Sequence, residues 1–129
     1  SIFNDRMMMF ANVAKITDCA LTVYTSVVSR AEESRGILDA GSKTFTYDSG
    51  GLDGFGLILE HPQAHIYKMA EEHGFLDISN CKTKPSIGDV LRVIPNHVCV
   101  VVNMFDQLVA VRDNAIVDIL PVAARGRLV

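Results

Sequence analysis

A histidine and a cysteine two residues apart, His97 and Cys99, are the side chains of this 129-residue chain best suited to chemistry. They lie within the apolar run at residues 95–105, whose composition is typical of a buried strand. On an extended strand alternate side chains share one face, which would place His97 and Cys99 about 6.5–7 Å apart along the backbone. An imidazole nitrogen and a thiolate that converge from that separation can hold one zinc ion, whose bonds to nitrogen and sulfur are about 2.0–2.3 Å long. The spacing therefore indicates a metal site.

A purely structural role for the pair stays open beside that hypothesis, because a free cysteine in a strand is usually a small buried hydrophobe. Two protein ligands also cannot complete a structural zinc site, which takes four. A metal ion held by His97 and Cys99 would therefore keep open positions for water, substrate or a third protein group, as catalytic sites do.

The composition limits the classes of protein to which the chain can belong. Hydrophobic residues make up 49% and charged residues 21%, which predicts a single globular domain over residues 1–129. The net charge is −3, and the scattered lysines and arginines form no basic stripe, which argues against nucleic acid. The apolar runs fall far short of the ~20 residues of a membrane span. Three irregularly spaced cysteines and the lack of a signal peptide predict a reducing, cytoplasmic environment.

Most of the chain has the β-branched, alternating pattern of strands. The predicted strands span residues 19–30, 36–40, 55–60, 90–94, 107–112 and 115–120, the last two joined by a turn at Asp113–Asn114. Residues 64–80 fit either a helix face or a pair of strands, and a hairpin turning at His73–Gly74 is the favoured alternative. Residues 7–10 could be a strand or a short helix. This arrangement predicts an all-β fold, a barrel or a sandwich, that must hold the His97 and Cys99 run.

Other chemically suggestive residues are less specific. Glu72 and His73, at the predicted turn, and Asn103, on the strand face of His97, are candidates for supporting contacts to metal ligands, although charged turn residues are usually only solvated. The stretch Gly41–Thr44 resembles the end of a phosphate-binding loop, but Ser42 separates Gly41 from Lys43 and a strand- or loop-like segment follows. No apolar pocket or cationic neighbour is evident that would activate Lys43 as a Schiff-base lysine.

Several ordered motifs together carry a family resemblance. They are Gly88-Asp89 and residues 37–43, 71–74, 93–99, 102–106 and 121–127. With these motifs the chain resembles, from about Phe3 to Arg127, the C-terminal domain of the D-threonine aldolase / D-serine dehydratase family. The family usually has Pro and Thr soon after the cysteine, whereas Val100 and Val101 stand here, which leaves the local backbone open.

The resemblance implies a fold, a cofactor and a metal. Members of the family are pyridoxal-phosphate enzymes with an alanine-racemase-like fold, in which an N-terminal α/β barrel carries the Schiff-base lysine. The C-terminal β-domain closes the active site and supplies a His and a Cys (or Asp) to a divalent metal, zinc in the dehydratases and often manganese in the aldolases. Those ligands match His97 and Cys99 here. The barrel and its lysine are absent from this chain, so no catalytic or cofactor-binding residue is assigned to it.

The resemblance also implies partners. The expected ones are the N-terminal barrel domain, a D-amino-acid substrate and a second subunit in a homo-oligomer, such as a homodimer. The surface left by the missing barrel is expected to associate, with contributions from Ile2, Phe3, residues 7–10 and Val101. The alternative is a β-domain that keeps the fold but serves only assembly or binding.

Overall fold

The computed structural model describes residues 2–127, which are built mainly from antiparallel strands. The strands are β1 (Val23–Glu32), β2 (Arg35–Leu38), β3 (Leu57–Ile58), β4 (His65–Met69), β5 (Gly74–Asp77), β6 (Val90–Ile94), β7 (Gln107–Arg112) and β8 (Ala115–Pro121). The helices are short: α1 (Arg6–Phe10), α2 (Ser42–Phe45) and α3 (Val98–Val102), with a single 3₁₀ turn at Ile16–Asp18. The predicted all-β class is confirmed. In the part of the chain that is described, no helix has both the length and the apolar character needed to cross a membrane.

Six strands form one sheet in the order β3-β6-β1-β2-β5-β4. The two ends of this sheet approach each other just before β3, where the Phe55 amide donates to the Ile66 carbonyl of β4 at 3.1 Å. The sheet is therefore a nearly closed barrel, one of the two architectures that the sequence predicts. Its interior is filled by branched aliphatic side chains with almost no exposed surface, among them Val27, Leu38, Ile58, Ile66, Leu76 and Val93.

The predicted strand boundaries agree best where turn-forming residues flank the strand, and the strand predicted at 19–30 begins only at Val23. Strands β6 and β7 span the predicted residues, and β4 and β5 form the hairpin predicted to turn at His73–Gly74. The predicted strand 55–60 is reduced to two residues because Phe55 pairs with β4, whereas Leu57 and Ile58 pair with β6. Gly56, with φ of 121°, lies between them, where a Cβ would come within 2.6 Å of Val93.

The run at residues 95–105 is not the predicted strand, because residues 98–102 form α3. The buried carboxylate of Asp5 accepts a hydrogen bond from the Val98 amide at 2.9 Å, and Val98 and Val101, one helical turn apart, are both buried. A cap from Asp5 and burial in the core thus override the β propensity of five consecutive Val/Cys positions, residues 98–102. His97 and Cys99 consequently do not alternate on a strand: His97 precedes the helix and Cys99 lies in its first turn.

Two further segments are helical: residues 7–10, for which a strand or a short helix was expected, and residues 42–45, which were expected to lead into a strand or loop. Residues 7–10 belong to α1, which Asp5 caps by accepting from the Met8 amide at 3.0 Å. Helix α2 begins directly after Gly41. The absence of a side chain at Gly41 lets the chain pack closely against the β4–β5 turn, because a Cβ at Gly41 would lie 2.6 Å from the backbone nitrogen of His73. Although a helix follows Gly41, the segment still does not match the phosphate-binding loop motif, because Ser42 stands between Gly41 and Lys43.

Strands β7 and β8 form a separate two-stranded hairpin. Its turn residues Asp113 and Asn114 both have positive φ, 51° and 61°, as tight hairpin turns require. The register pairs Val109 with Ile119 and Val111 with Ile116, which puts these four side chains on one face. All four are more than half exposed, so this apolar face is bare within the described structure.

Candidate metal centre

The His97 side chain is held through one of its two ring nitrogens. Nδ1 lies 2.6 Å from Oδ2 of Asp48, and the imidazole is about 29% exposed. An ionised carboxylate can only accept hydrogen bonds, so Nδ1 carries the proton and donates it to Asp48. Nε2 is then the nitrogen with a free lone pair, and no residue in the described part of the chain occupies it with a hydrogen bond.

The partner, Asp48, is itself fixed. Its other oxygen, Oδ1, accepts from the Gly50 amide at 3.2 Å. The hydrogen bond from His97, with that from Gly50, lowers the pKa of the Asp48 carboxyl below its usual value. Asp48 is therefore ionised at neutral pH, as the acceptor role requires.

Cys99 lies two residues beyond His97 with an exposed, unoxidised thiol. Its carbonyl accepts from the Asn103 amide at 3.3 Å, within α3. The residue between the two candidates, Val98, is fully buried. The helix start is thus anchored in the core while His97 and Cys99 remain accessible.

Two buried polar residues hold the backbone around His97. Asn96, 4% exposed, donates from Nδ2 to the carbonyls of Ser49 at 3.2 Å and Gly54 at 2.8 Å, and its Oδ1 accepts from Arg6 at 3.1 Å. Asp5, 3% exposed, links the starts of α1 and α3 through its two oxygens. Because these buried groups are paired, the segment before α3 and the loop that carries Asp48 form one rigid unit.

The other residues singled out in the sequence lie in different surroundings. Glu72 pairs with Lys43 at 3.1 Å, and His73 is exposed on the β4–β5 turn. Within residues 2–127 no hydrogen bond or ion pair joins either of them to His97 or Cys99. Asn103 ends α3 and contacts Cys99 only through the backbone hydrogen bond. Lys43 also pairs with Glu71 at 3.0 Å, and these two carboxylates raise its pKa, the opposite of what activates a Schiff-base lysine.

Asp48 is the residue that sequence reasoning missed. Asp48 precedes the stretch Ser49-Gly50-Gly51, and an aspartate at such a place in the sequence indicates only a turn. Its partner His97 lies 49 residues further along the chain, and no local pattern connects them.

The donor set fits a metal with open positions. Among the described residues no group of three or more His, Cys, Asp or Glu side chains is arranged to hold a metal ion. By type, the imidazole nitrogen of His97 and the thiol of Cys99 could serve as two ligands of a zinc ion. The remaining positions would have to come from water, substrate or another polypeptide.

The chain is similar to proteins of one family. The family model described as "Putative serine dehydratase domain" matches residues 20–111. An uncharacterized protein of Mycobacterium tuberculosis is 40% identical over 115 residues, which cover 85% of this chain and 86% of that protein. D-threonine aldolase of Arthrobacter is 36% identical over 107 residues, which cover 83% of this chain but only 27% of the aldolase.

Solved structures show the same relationship. D-threonine aldolase from Filomicrobium marinum superimposes on 98% of this chain with a TM-score of 0.80 and 28% identity. D-threo-3-hydroxyaspartate dehydratase from Delftia superimposes on 92% with a TM-score of 0.79 and 25% identity. D-threo-3-hydroxyaspartate dehydratase has also been solved as a His-to-Ala variant and as a metal-free Cys-to-Ala variant, the replaced residues being two positions apart. The chain spans about a third of these solved enzymes, 35% and 36%.

Proposed function

The chain belongs to the serine dehydratase domain family, whose model matches most of its length, and we propose that it is the metal-bearing C-terminal domain of a pyridoxal-phosphate-dependent D-amino-acid lyase. The lyase would be of the D-serine dehydratase or D-threonine aldolase type. Its N-terminal barrel, with the Schiff-base lysine, would lie outside the residues described here. In this proposal the domain closes the active site and presents a metal to the substrate.

The observation that carries the proposal is the His97-x-Cys99 spacing in its structural setting. The same spacing separates the histidine and the cysteine replaced in the D-threo-3-hydroxyaspartate dehydratase variants, of which the cysteine variant is a metal-free form. In this chain the His97 Nε2 lone pair is free and the Cys99 thiol is exposed. The thiol favours zinc over manganese, which prefers oxygen ligands.

The chemistry divides between groups bound to the protein and the chain's own residues. When bound, the metal supplies Lewis acidity toward a substrate hydroxyl or carboxylate, and pyridoxal phosphate stabilises a carbanion. His97 and Cys99 hold the metal and leave its remaining positions open toward the barrel and the substrate. The buried side chains of Asp5 and Asn96 fix the backbone at the start of α3 and so hold His97 and Cys99 in position relative to each other. The three free cysteines suit the reducing cytoplasm, where we place the protein.

Zinc binding tests the proposal. We expect the wild-type chain to bind one equivalent of zinc in competition with a chromophoric chelator, and the double variant His97→Ala, Cys99→Ala to bind none. The matched control replaces His73 and Cys19, an exposed histidine and a half-buried cysteine away from α3, and should bind as the wild type does. Equal zinc content in the wild type and the His97/Cys99 variant would overturn the proposal. A manganese titration in parallel should give weaker binding.

The chain alone should not be a lyase. With added pyridoxal phosphate we expect no turnover of D-serine or D-threonine beyond the free-cofactor background, since Lys43 is tied to two carboxylates. Turnover that is abolished by borohydride trapping on a lysine of this chain would contradict this expectation.

A second function, assembly, is favoured by the bare apolar face of the β7–β8 hairpin. An isolated two-stranded hairpin is at best marginally stable in water, and its branched side chains gain free energy only when covered. We propose that two copies of the chain associate through this face. The expected contribution of Val101 to a contact surface is wrong, because that side chain is buried in the core at 1% exposure.

A further inference from the structure

The hydrogen bond between Asp48 and His97 determines which atom of the histidine can meet a metal. Histidine has two ring nitrogens, and a neutral ring carries its proton on only one of them. We propose that Asp48 is a positioning residue: it holds the His97 proton on Nδ1 and thereby directs the Nε2 lone pair to the metal. This inference rests on the proposed function and adds to it a residue and a choice of atom that the His-x-Cys motif leaves open.

The geometry of the contact carries the inference. The Nδ1 to Oδ2 distance of 2.6 Å is short, as charge-assisted hydrogen bonds are. The carboxylate cannot easily turn away, because its other oxygen is held by the Gly50 amide. A hydrogen bond made by the non-ligating nitrogen is the usual means by which proteins orient a metal-binding imidazole and raise its basicity.

The loop that carries Asp48 is built to keep this distance. Asn96, the residue directly before His97, bonds the carbonyls of Ser49 and Gly54 and so ties both ends of the loop to the histidine's own backbone. Gly50 packs against Met7 of α1 so closely that a Cβ at Gly50 would lie 2.5 Å from the methionine sulfur. Donor and acceptor therefore belong to the same rigid unit, although they are 49 residues apart.

The histidine tautomer can be measured in the metal-free protein, which separates this inference from metal binding. Long-range proton–nitrogen correlation spectra of ¹⁵N-histidine-labelled protein report which ring nitrogen is protonated. We expect His97 of the wild type to be protonated on Nδ1 and the Asp48→Ala variant to shift toward a mixture of both tautomers. Asp48→Asn, whose amide can accept from a protonated Nδ1 or donate to a bare one, should lie between. Asp53→Asn is the control, because it removes the same charge from the same loop on a side chain that does not contact His97. In this variant the His97 tautomer should match that of the wild type.

Zinc affinity gives the second readout. Loss of a residue that orients a metal ligand typically weakens metal binding about 10–100-fold, which we expect for Asp48→Ala, with a smaller loss for Asp48→Asn and none for Asp53→Asn. Dispersed backbone spectra of each variant would show that it is folded. If the wild type binds zinc and Asp48→Ala has the same affinity and the same His97 tautomer, the role of Asp48 is overturned while the proposed function stands. If the wild type binds no zinc, the proposed function itself fails.

Discussion

At the scale of single residues, carboxylates do most of the organising in this domain. Asp5 caps two helices, Asp48 holds His97, and Asp39 joins two strands by accepting from the Thr25 hydroxyl at 2.7 Å and the Ser26 amide at 2.8 Å. Each carboxylate satisfies donors that would otherwise lack a partner at an element end or strand edge. Acid should therefore loosen the fold.

Asp39 offers a specific test of this acid sensitivity. Partial burial acts to raise its pKa, but the hydrogen bonds from Thr25 and Ser26 favour the ionised form and hold the pKa below its usual value. A carboxyl whose pKa is lowered in the folded state stabilises the fold above its unfolded pKa of about 3.9, and that contribution is lost as the pH falls through the folded pKa.

We expect Asp39→Asn to lower the free energy of unfolding at pH 7 and to reduce its further decline below about pH 4. Urea unfolding between pH 7 and pH 3 would measure both effects. Asp53→Asn is the control, because the Asp53 side chain is 93% exposed and its nearest ionic partner, His65, is 3.7 Å away. An Asp39→Asn protein with the same acid dependence as the wild type would show that the Asp39 bonds contribute nothing.

At the scale of the elements, helix α2 depends on the close approach between Gly41 and the β4–β5 turn. The amides of Ser42 and Lys43 donate to the carbonyls of Ala70 and Glu71, both at 2.9 Å. A Cβ at Gly41 would lie 2.7 Å from the Glu71 oxygen, closer than real Cβ atoms come, and the obstructing atoms are backbone.

We therefore expect Gly41→Ala to destabilise the fold by about 1–3 kcal/mol, the usual cost of overpacking. Gly51→Ala is the comparison that isolates backbone strain from a steric clash. Gly51 has φ of +76°, but nothing lies near the position of its missing Cβ. This variant should therefore show only the cost of a left-handed backbone, about 1–2 kcal/mol. Thermal or urea unfolding of both variants, with hydrogen exchange at the Ser42 and Lys43 amides, would compare them. If the Ser42 and Lys43 amides lost protection in Gly51→Ala but not in Gly41→Ala, the close approach at Gly41 would not be what holds α2 in place.

The elements also show what the sequence could predict. Turn-forming residues located β6, β7 and β8, because Gly88-Asp89 and Pro95 bound the first of these strands and Asp113-Asn114 joins the other two. Helix α3 was wrongly expected to be a strand, since its cap comes from Asp5, 93 residues earlier in the chain. For the same reason the motif predicted His97 and Cys99 as candidates but could not predict Asp48, whose role depends on tertiary contact alone.

At the scale of the whole molecule, the β7–β8 hairpin presents a bare apolar face beside the barrel. The barrel buries its own core, whereas Val109, Val111, Ile116 and Ile119 on the hairpin are 55%, 51%, 69% and 53% exposed. With the neighbouring Val117, also exposed, they form an apolar surface on the order of the few hundred Å² at which patches mark association sites. The face bears no charge, so an identical face from a second copy can pack on it without burying an ion.

A charge on that apolar face should prevent the association. We expect the wild-type mass measured by light scattering to rise from monomer toward dimer across a concentration series, and Ile116→Glu to remain monomeric throughout. Ala115→Glu is the control: it introduces the same charge one residue away, on the opposite face, where Ala115 pairs with Arg112, and it should associate as the wild type does. A wild type that is monomeric at every concentration, or two glutamate variants that behave alike, would show that copies of this chain do not meet through the apolar face of the hairpin.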